Sequence, residues 1–257
     1  MEKIVKQGKL EDGIYYLPNI TLDRKEYLEL AKHLEFLGGK WKGGKIKGFI
    51  FDRKINTIEE LLGNNIKVKK DIQLFETPES IVELLISYSD VNDKQTYLEP
   101  SAGRGKIIRG IQKYCSCYID YCEINEVNRD YLKNIDNINY LTDDFLKLKT
   151  NKRYSRIIAN PPFSKNQDID HIMKMYDLLD DNGILVSVSS KHWELSSNKK
   201  ETEFRRFLDL VRAETIDLDS GEFKESGTLV SSKIIIIKKS PVNNSYNPID
   251  IGGCTIY

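Results

Sequence analysis

The sequence predicts an α/β protein built on a doubly wound, mostly parallel β-sheet. From about residue 96 onward, short apolar runs of strand type alternate with longer segments of helical periodicity. Several runs end at an acidic or amide residue followed by a turn, which places polar groups at one edge of such a sheet. The last two runs lie too close together in the chain for a helix between them, so we expect the last strand to pair antiparallel.

Seven strands and four main helices follow from these patterns. The strands are predicted at residues 96–98, 118–122, 139–141, 155–159, 183–189, 214–218 and 229–238. The helices between them are predicted near 104–113, 126–134, 168–179 and 201–211. A further helix is expected to begin at Thr77-Pro78, with Thr77 as its N-cap, because proline favours the first helical position.

The N-terminal part has a different composition. A helix is predicted over 23–37, begun by Asp23 and ended by Gly38-Gly39. It is followed by a short basic hairpin that carries Lys40, Trp41, Lys42, Lys45, Lys47 and Phe49, and then by a helix near 57–62 and a strand near 66–74. A basic, aromatic hairpin is typical of a small nucleic-acid contact module. The alternative is a solvated hairpin whose Trp41 and Phe49 pack on the helix.

Bulk composition narrows the class of protein. The chain has 257 residues, 40% hydrophobic and 30% charged, with no apolar run near the length of a membrane helix and no signal-type N-terminus. We therefore expect a cytoplasmic protein whose four cysteines are buried thiols, with no metal site. Residues 1–70 hold 15 Lys/Arg against 10 Asp/Glu although the whole chain is neutral. The predicted domains are 1–70, a catalytic body at 71–240 and a loosely attached tail at 241–257.

The first predicted strand of the body ends at Glu99 and runs into Pro100-Ser101-Ala102-Gly103-Arg104-Gly105. Glycines at such a turn let the backbone approach a ligand closely. The lysine spacing of a triphosphate site and the glycine spacing of a dinucleotide site are both absent. Glu99 would repel a phosphate but favours a cationic ligand, which fits the sulfonium and ammonium groups of S-adenosylmethionine.

Two more acidic residues follow the next two strands. Glu123 comes 24 residues after Glu99, close to the interval at which an acidic residue binds a nucleoside ribose. Asp144 offers an acceptor for an adenine amine, and Phe145 offers a ring to cover that base. Each carboxylate has a simpler interpretation as a surface charge.

The segment Asn160-Pro161-Pro162-Phe163 ends the fourth strand. Proline has a fixed φ and no N–H, so carbonyl oxygens stand at a stiff strand end with few local donors. Two acceptors beside an aromatic ring suit a planar ligand that bears an amine. Taken alone, the segment is equally typical of a proline turn that closes a strand.

Together these motifs resemble the S-adenosylmethionine-dependent amino-methyltransferases of DNA, particularly the adenine-N6 type. The resemblance covers about residues 75–240 and implies the Rossmann-like class I methyltransferase fold. It implies cofactor contacts at Thr77, Glu99, Ser101, Ala102, Gly103, Gly105, Glu123, Ile124, Asp144, Phe145 and Asn160. It also implies that Asn160, Pro161, Pro162 and Phe163 form the catalytic motif, with Phe163 supporting an adenine that has been flipped out of double-stranded DNA.

Further substrate contacts are expected from less specific signals. Lys191 and Trp193 are interpreted as a DNA-contacting loop, and Phe223 as a second face of the base pocket. The lengths between motifs leave no room for a large target-recognition domain. Sequence selection is therefore expected from residues 1–70, from short loops, or from a partner, in a restriction-modification system or in an orphan or phage enzyme.

Three alternatives stay open at this stage. The motif at Asn160 also occurs in enzymes that methylate RNA at guanine-N2, and methylation of RNA adenine-N6 is a related possibility. It occurs as well in enzymes that methylate glutamine-N5 on proteins. A methyltransferase fold that serves only as a binding subunit is the non-enzymatic alternative.

Overall fold

The structure is a computed structural model that describes residues 2–51, 55–62, 76–218, 231–241, 249–251 and 254–256. The chain divides into two compact units, Met1–Ile72 and Gln73–Tyr257. No helix in the described ranges is long and apolar enough to cross a membrane.

The first unit is a small α+β module. Its elements in chain order are α1 (Glu2–Gln7), β1 (Lys9–Glu11), β2 (Ile14–Tyr16), α2 (Arg24–Phe36), β3 (Gly39–Lys42), β4 (Gly48–Phe51) and α3 (Ile58–Leu62). The four strands form an antiparallel sheet in the order β1-β2-β4-β3. Sequence patterns did not predict α1, β1 or β2, because three-residue strands show too little periodicity.

The predicted helix and hairpin of this unit are confirmed. Asp23 caps α2 in a reciprocal capping box with Glu26, in which each side chain accepts from the other residue's backbone N–H. In the hairpin, Trp41 and Phe49 stand opposite each other across β3 and β4, with ring centroids 5.2 Å apart. Phe49 is fully buried, whereas Trp41 is 42% exposed, so only one of the two rings belongs to the core.

The second unit carries the larger sheet. Its elements begin with α4 (Glu79–Ser87), β5 (Tyr97–Glu99), α5 (Lys106–Gln112), β6 (Ile119–Cys122), α6 (Glu126–Leu132), β7 (Ile138–Thr142) and β8 (Tyr154–Ala159). They continue with α7 (Gln167–Leu178), β9 (Leu179–Ser190), α8 (His192–Leu195), α9 (Lys199–Leu210), β10 (Glu214–Leu218), β11 (Ser232–Lys238), β12 (Ile249–Ile251) and β13 (Cys254–Ile256).

The sheet order confirms the predicted fold class. Seven strands lie in the order β10-β11-β9-β8-β5-β6-β7. The five from β5 to β9 run parallel, and β11 is antiparallel to both of its neighbours. The order reverses direction between β5 and β8, which is the switch point at which open α/β sheets bind ligands.

Two apolar cores flank this sheet. One includes α7 and α9 residues such as Ile172, Met175 and Phe207, and the other includes α4 and α5 residues such as Val82 and Ile108. Helices on both sides explain why the central strands are apolar throughout instead of alternating.

The C-terminal segment belongs to the first core, because Ile251 is 3% exposed within it. The expectation of a loosely attached tail is therefore wrong for its described part, which pairs as a β12–β13 hairpin.

Three local expectations need correction or fall outside the described residues. The N-cap of α4 is Pro78 instead of Thr77, and the Thr77 side chain is used elsewhere. Cys115 and Cys117 form a disulfide instead of two thiols, since the turn between α5 and β6 brings their Cα atoms within 5.4 Å. Cys122 is the free, buried thiol that we expected. The strand predicted at 66–74 lies outside the described residues.

Candidate active site

The carboxyl ends of β5, β6 and β8 bring most of the sequence-predicted cofactor residues to one edge. The turn after β5 is hydrogen-bonded to the end of β6. Ala102 N donates to Cys122 O at 3.0 Å, and Gly103 N donates to Glu123 Oε2 at 2.6 Å. Since parallel strands end together, Glu99, Glu123 and Asn160 share this edge.

Glu99 is a buried carboxyl with an unused oxygen. The residue is 1% exposed, and its Oε1 accepts from Ser101 N at 3.1 Å. Its Oε2 and the hydroxyl of Ser101 are buried without a hydrogen-bond partner among the described residues. Burial raises the pKa of Glu99 well above its usual range, and the charge of Glu123 adds to that rise. Such a group needs a donor or a cation, which a ligand at this edge can supply.

The two glycines of the turn serve different purposes. Gly103 has a φ of +54° and open space where a Cβ would lie, as expected at a ligand-facing backbone. Gly105 has a φ of +80°, but a Cβ there would meet Ile135 at 2.6 Å and Leu132 at 2.9 Å. The second glycine is thus favoured both by its backbone conformation and by packing against the protein, and its contact with a cofactor stays a prediction.

Glu123 lies one residue beyond the end of β6 and is 7% exposed. It accepts from Gly103 N and, at 2.7 Å, from Asn125 N. Burial raises its pKa, although these backbone hydrogen bonds oppose the rise. Its Oε1 also accepts from Asn128 Nδ2 at 3.4 Å, so the second lone pair of Oε2 is the one that can still accept a ligand hydroxyl. The next residue, Ile124, is 57% exposed and gives the edge an apolar surface.

Asp144 and Phe145 follow β7, where the chain forms a single 3-10 turn. Asp144 caps this turn by accepting from Leu146 N at 3.0 Å and also pairs with Lys147 at 3.1 Å. The Phe145 ring is 2% exposed, lies 5.3 Å from the His171 ring in a tilted arrangement and has the Lys174 ammonium over its face. The expectation that this ring lies open to cover a base is therefore wrong, because the ring is part of the core.

Asn160 is oriented by a hydrogen bond from the α4 entry. Its Nδ2 donates to Thr77 Oγ1 at 3.1 Å, and Thr77 is 7% exposed. Because the Asn160 amide nitrogen is used in this hydrogen bond, the amide oxygen Oδ1 is the atom that can accept a hydrogen bond from a ligand. Pro161 follows, buried and without an N–H.

A small cavity gathers these groups. It has a volume of about 30 Å³ and is lined by Glu76, Thr77, Ser101, Ala102, Gly103, Arg104, Lys106, Ile107 and Asn160. This volume holds one small polar group, such as a water or an ammonium. A larger cavity of about 370 Å³ lies at the opposite edge, before β6 and β7, and collects none of the predicted site residues.

The loop after the proline pair is held in an unusual conformation. Phe163 is half-buried against the core that contains Val82, and Pro162 is half-buried beside it. Lys165 and Asn166 both have a φ of +57°, in the left-handed region that non-glycine residues rarely adopt. Two consecutive residues in this region persist only when surrounding contacts hold them.

Two buried carboxylates supply such contacts, and sequence reasoning missed both. Glu201, 1% exposed, accepts from Asn166 Nδ2 at 2.9 Å and from Asn198 Nδ2 at 3.2 Å. The hydrogen bond from Asn198 lowers the pKa of Glu201. The signal in the sequence was the spacing from Asn198 to Glu201, which matches an N-cap and its N3 partner.

The second carboxylate joins the start of α7 to the end of β9. Asp168 is fully buried, and its Oδ2 accepts from the Ser189 hydroxyl and from the Ser190 N–H and hydroxyl, each at 2.9 Å. Burial raises its pKa despite these hydrogen bonds. The loop that follows the proline pair is thus fixed to two neighbouring elements.

The predicted DNA-contacting residues after β9 are only partly at the surface. Lys191 is half-buried and pairs with Asp217 at 2.7 Å. Trp193 is 6% exposed, donates to Ser189 Oγ at 3.0 Å and packs edge-on against Phe204. The interpretation of Trp193 as a surface contact is wrong, because its ring anchors α8 in the core. Phe223 lies outside the described residues.

The basic hairpin lies in the other unit. Lys40, Lys42, Lys45 and Lys47 are all exposed there, as is Trp41. These side chains form a positively charged surface with one accessible ring. Its composition agrees with a nucleic-acid contact, which stays a prediction.

Comparison with solved structures shows that the fold is that of the class I methyltransferases. The chain is similar to a Listeria monocytogenes protein described as a class I S-adenosylmethionine-dependent methyltransferase, at 14% identity and a TM-score of 0.52, over 76% of this chain and 69% of that one. It is also similar to the methyltransferase subunit of a type I restriction-modification system from Streptococcus thermophilus, at 17% identity and a TM-score of 0.52. That match covers 77% of this chain and 57% of the subunit. The M protein of the type I restriction enzyme EcoKI matches at 14% identity and a TM-score of 0.52, and the match covers 74% of this chain and 49% of the M protein.

These likenesses concern the fold. No protein-family model and no curated protein matches the chain. The chain covers about half the length of the two restriction-system subunits. The likenesses therefore carry no activity or substrate over to this chain.

Proposed function

We propose that this protein transfers a methyl group from S-adenosylmethionine to the exocyclic N6 amine of an adenine flipped out of double-stranded DNA. The observation that carries the proposal is the Asn160–Thr77 hydrogen bond, which leaves the amide oxygen of Asn160 as an acceptor at the end of β8, next to the strand that ends in the buried Glu99. The fold shared with S-adenosylmethionine-dependent methyltransferases supports the methyl-transfer part of this proposal.

The residues present fit this cofactor. Ser101, whose hydroxyl is unpartnered, borders a cavity of ammonium size, and Gly103 leaves backbone open beside it. Glu99, whose Oε2 is also unpartnered, accepts from the backbone N–H of Ser101. These groups would hold the amino-acid end. Glu123 would accept the ribose hydroxyls, with the exposed Ile124 against the base. Asp144 would accept the base amine, in exchange for its contact with Lys147.

The site's own task is to orient a weak nucleophile. The lone pair of an adenine amine is delocalised into the ring. If Asn160 Oδ1 and the Pro161 carbonyl accept its two N–H bonds, the nitrogen becomes more tetrahedral and its lone pair turns towards the methyl donor. The bound cofactor supplies an electrophilic methyl group on a positively charged sulfur. Rate enhancement then comes from alignment of the reacting groups and from the electrostatics of these fixed acceptors.

Phe163 is suited to support the flipped base. It follows the proline pair directly, and the loop beyond it is fixed through Asn166 and Glu201. Stacking on an aromatic side chain contributes on the order of 1–3 kcal/mol per base. This support does not select a sequence, since every base has an aromatic face.

Target selection is proposed to lie outside the catalytic edge. The exposed basic hairpin of the first unit is the first candidate for DNA contact. Two of the similar structures are subunits of multi-subunit restriction systems, so a partner that supplies specificity or a nuclease is a second possibility.

The test is transfer of an isotopically labelled methyl group from S-adenosylmethionine to unmodified duplex DNA, total RNA and protein, followed by identification of the labelled product. We expect label in DNA as N6-methyladenine, and none with Asn160→Ala although that variant still binds the cofactor. A matched control is Asn151→Ala, which changes an exposed asparagine in the loop before β8. Label in RNA or in protein glutamine would instead support the corresponding alternative, and retained turnover by Asn160→Ala would remove that residue from the mechanism.

A further inference from the structure

Leu195 is exposed to an unusual degree. It is 96% exposed, whereas the next most exposed large hydrophobic residue in the described parts of the chain, Tyr118, is 70% exposed. Isolated surface leucines are common, so exposure alone carries no function. Leu195 is distinguished by the hydrogen bonds and buried side chains that fix the backbone on either side of it.

The backbone around Leu195 is held firmly. Leu195 is the last residue of α8, two positions after Trp193, whose ring is buried in the core. The Arg205 guanidinium donates to the carbonyl oxygen of Trp193 and, at 2.8 Å, to that of Ser196. Its other nitrogen donates to Thr202 at 3.0 Å. A leucine in such a place is presented at low cost in conformational entropy when it meets a partner.

The segment that carries Leu195 adjoins the catalytic edge. Strand β9 is parallel to β8, pairs Ser187 with Ala159, and continues three residues further to Ser190. The following segment therefore starts just beyond the strand end that carries Asn160. Glu201 joins the two loops directly, because it accepts from Asn166 after the proline pair and from Asn198 after Leu195.

The surroundings of Leu195 favour insertion into stacked bases over docking to a protein. Its neighbours in the chain are polar: His192 and Glu194 precede it, and Ser196 and Ser197 follow. Among described residues 179–209, Leu195 is the one exposed large hydrophobic side chain, whereas protein-binding surfaces present a contiguous apolar patch. Lys199 is 88% exposed at its side chain and faces Glu203 at 3.7 Å, a surface pair that a phosphate can replace. Arg206 on the same helix is exposed as well.

We propose that Leu195 is a wedge that enters the DNA duplex where the target adenine has left the stack. This inference rests on the proposed function, since a wedge is needed only if a base is flipped from a duplex. Proteins that unstack bases insert apolar side chains of this kind between base steps. Leu195 is then a substrate-binding residue that acts on the duplex and has no part in the chemical step.

The first experiment compares one DNA preparation in native and heat-denatured form under single-turnover conditions. For Leu195→Ser we expect methyl transfer to the duplex to slow by roughly tenfold or more, and transfer to denatured DNA to stay within about twofold of the unmodified protein. Leu210→Ser, at a leucine 39% exposed at the end of α9, is the control and should match the unmodified protein on both. An unchanged duplex rate, or an equal loss on both DNA forms, would overturn the proposal.

The second experiment needs no turnover. It measures equilibrium binding to a short duplex with one abasic site and to the same duplex intact, with cofactor present. The unmodified protein and Leu195→Met should prefer the abasic duplex, and Leu195→Ser should lose that preference. A preference that persists in Leu195→Ser would contradict the wedge. If the unmodified protein methylates neither DNA form, the proposed function fails by itself, and the binding result still decides whether Leu195 enters duplexes.

Discussion

The hydrogen bond from Asn160 Nδ2 to Thr77 Oγ1 decides which half of the amide faces the substrate. An amide that rotates would present its donor to an amine that also donates, and the orientation of the nucleophile would be lost. Thr77 was expected to cap α4, but the proline that follows it takes the N-cap position and releases its hydroxyl for this contact. The residue matters for a reason that a local pattern could not show.

Replacing Thr77 by valine tests this arrangement. The change keeps the side-chain shape and removes the acceptor, so we expect kcat to fall by roughly tenfold, the scale of one hydrogen bond near 1.4 kcal/mol. Cofactor affinity should change less than kcat. Thr77→Ser, which keeps the hydroxyl, is the control and should retain most of the activity. Equal kcat values for the valine variant and the unmodified protein would show that the contact does not orient Asn160.

Glu99 gives the site a pH dependence. Burial raises the pKa of this carboxyl in the protein without ligand, so below that pKa it carries a proton. A cationic ligand favours the ionised form, and binding then releases the proton. Affinity for S-adenosylmethionine should therefore rise with pH, above the ordinary glutamate pKa of about 4.3 and below the α-amino pKa of about 7.7.

Calorimetric titration across that pH range checks this prediction. The slope should approach about one log unit of affinity per pH unit for the unmodified protein. Glu99→Gln should bind more weakly and lose most of the slope. A pH-independent affinity in the unmodified protein would mean that Glu99 does not face the ammonium.

Among the secondary-structure elements, Asp120 connects β6, β7 and the segment that leads into β8 through side-chain hydrogen bonds. It lies on β6, is 4% exposed, and accepts from Tyr154 on β8 at 2.6 Å, from Lys152 at 2.7 Å and from Asn139 on β7 at 3.0 Å. Burial pushes the pKa of Asp120 up, but these three hydrogen bonds together lower it below its usual value. The group therefore stabilises the folded state in its ionised form.

Asp120→Asn should lower the free energy of unfolding by about 2 kcal/mol at neutral pH, the scale of a hydrogen bond to a charged group. Because the folded-state pKa is depressed, this contribution is present above the unfolded-state value of about 3.9 and is lost as pH falls through the folded-state pKa. Urea unfolding at several pH values measures it. Asp130→Asn, which breaks an exposed pair with Lys133, should cost less than about 0.5 kcal/mol. A destabilisation that stays constant into acid would refute the ionic role of Asp120.

Much of the second unit could be predicted from the sequence, because its strands are continuous apolar runs and its helices are strongly periodic. The seven strands and the antiparallel last strand are found where the pattern placed them, within a few residues. Contacts distant in sequence could not be predicted. The burial of Trp193 depends on Phe204 and on Ser189, and the role of Glu201 depends on Asn166. Gly105 could be recognised as necessary, but the reason for it lies in the side chains of α6 and the residues that follow it.

In the whole molecule, catalysis is proposed for the second unit and DNA contact for the first. The edge of the large sheet holds the groups for cofactor and amine, and the small unit carries an exposed basic hairpin. Binding to a phosphate backbone releases counterions, so the affinity for DNA should fall as salt rises, with a slope set by the number of phosphate contacts.

The double change Lys42→Ala and Lys45→Ala tests the contribution of the hairpin. We expect the slope of log affinity against log salt to become shallower by roughly 2 and the binding of S-adenosylmethionine to be unaffected. Fluorescence anisotropy with a labelled duplex measures the slope. Lys3→Ala with Lys6→Ala, two exposed lysines on α1 of the same unit, is the matched control. Equal slopes for the two double variants would assign the DNA contact to another surface.

Asn160 and its neighbours are proposed to direct a methyl group to adenine-N6 in DNA. The most direct measurement is nucleoside mass spectrometry of DNA from cells without adenine methylation of their own, expressing either the unmodified protein or Asn160→Ala at equal levels. We expect N6-methyldeoxyadenosine with the unmodified protein and none with the variant. Unmodified DNA, methylation on cytosine, or equal adenine methylation in both cultures would contradict it.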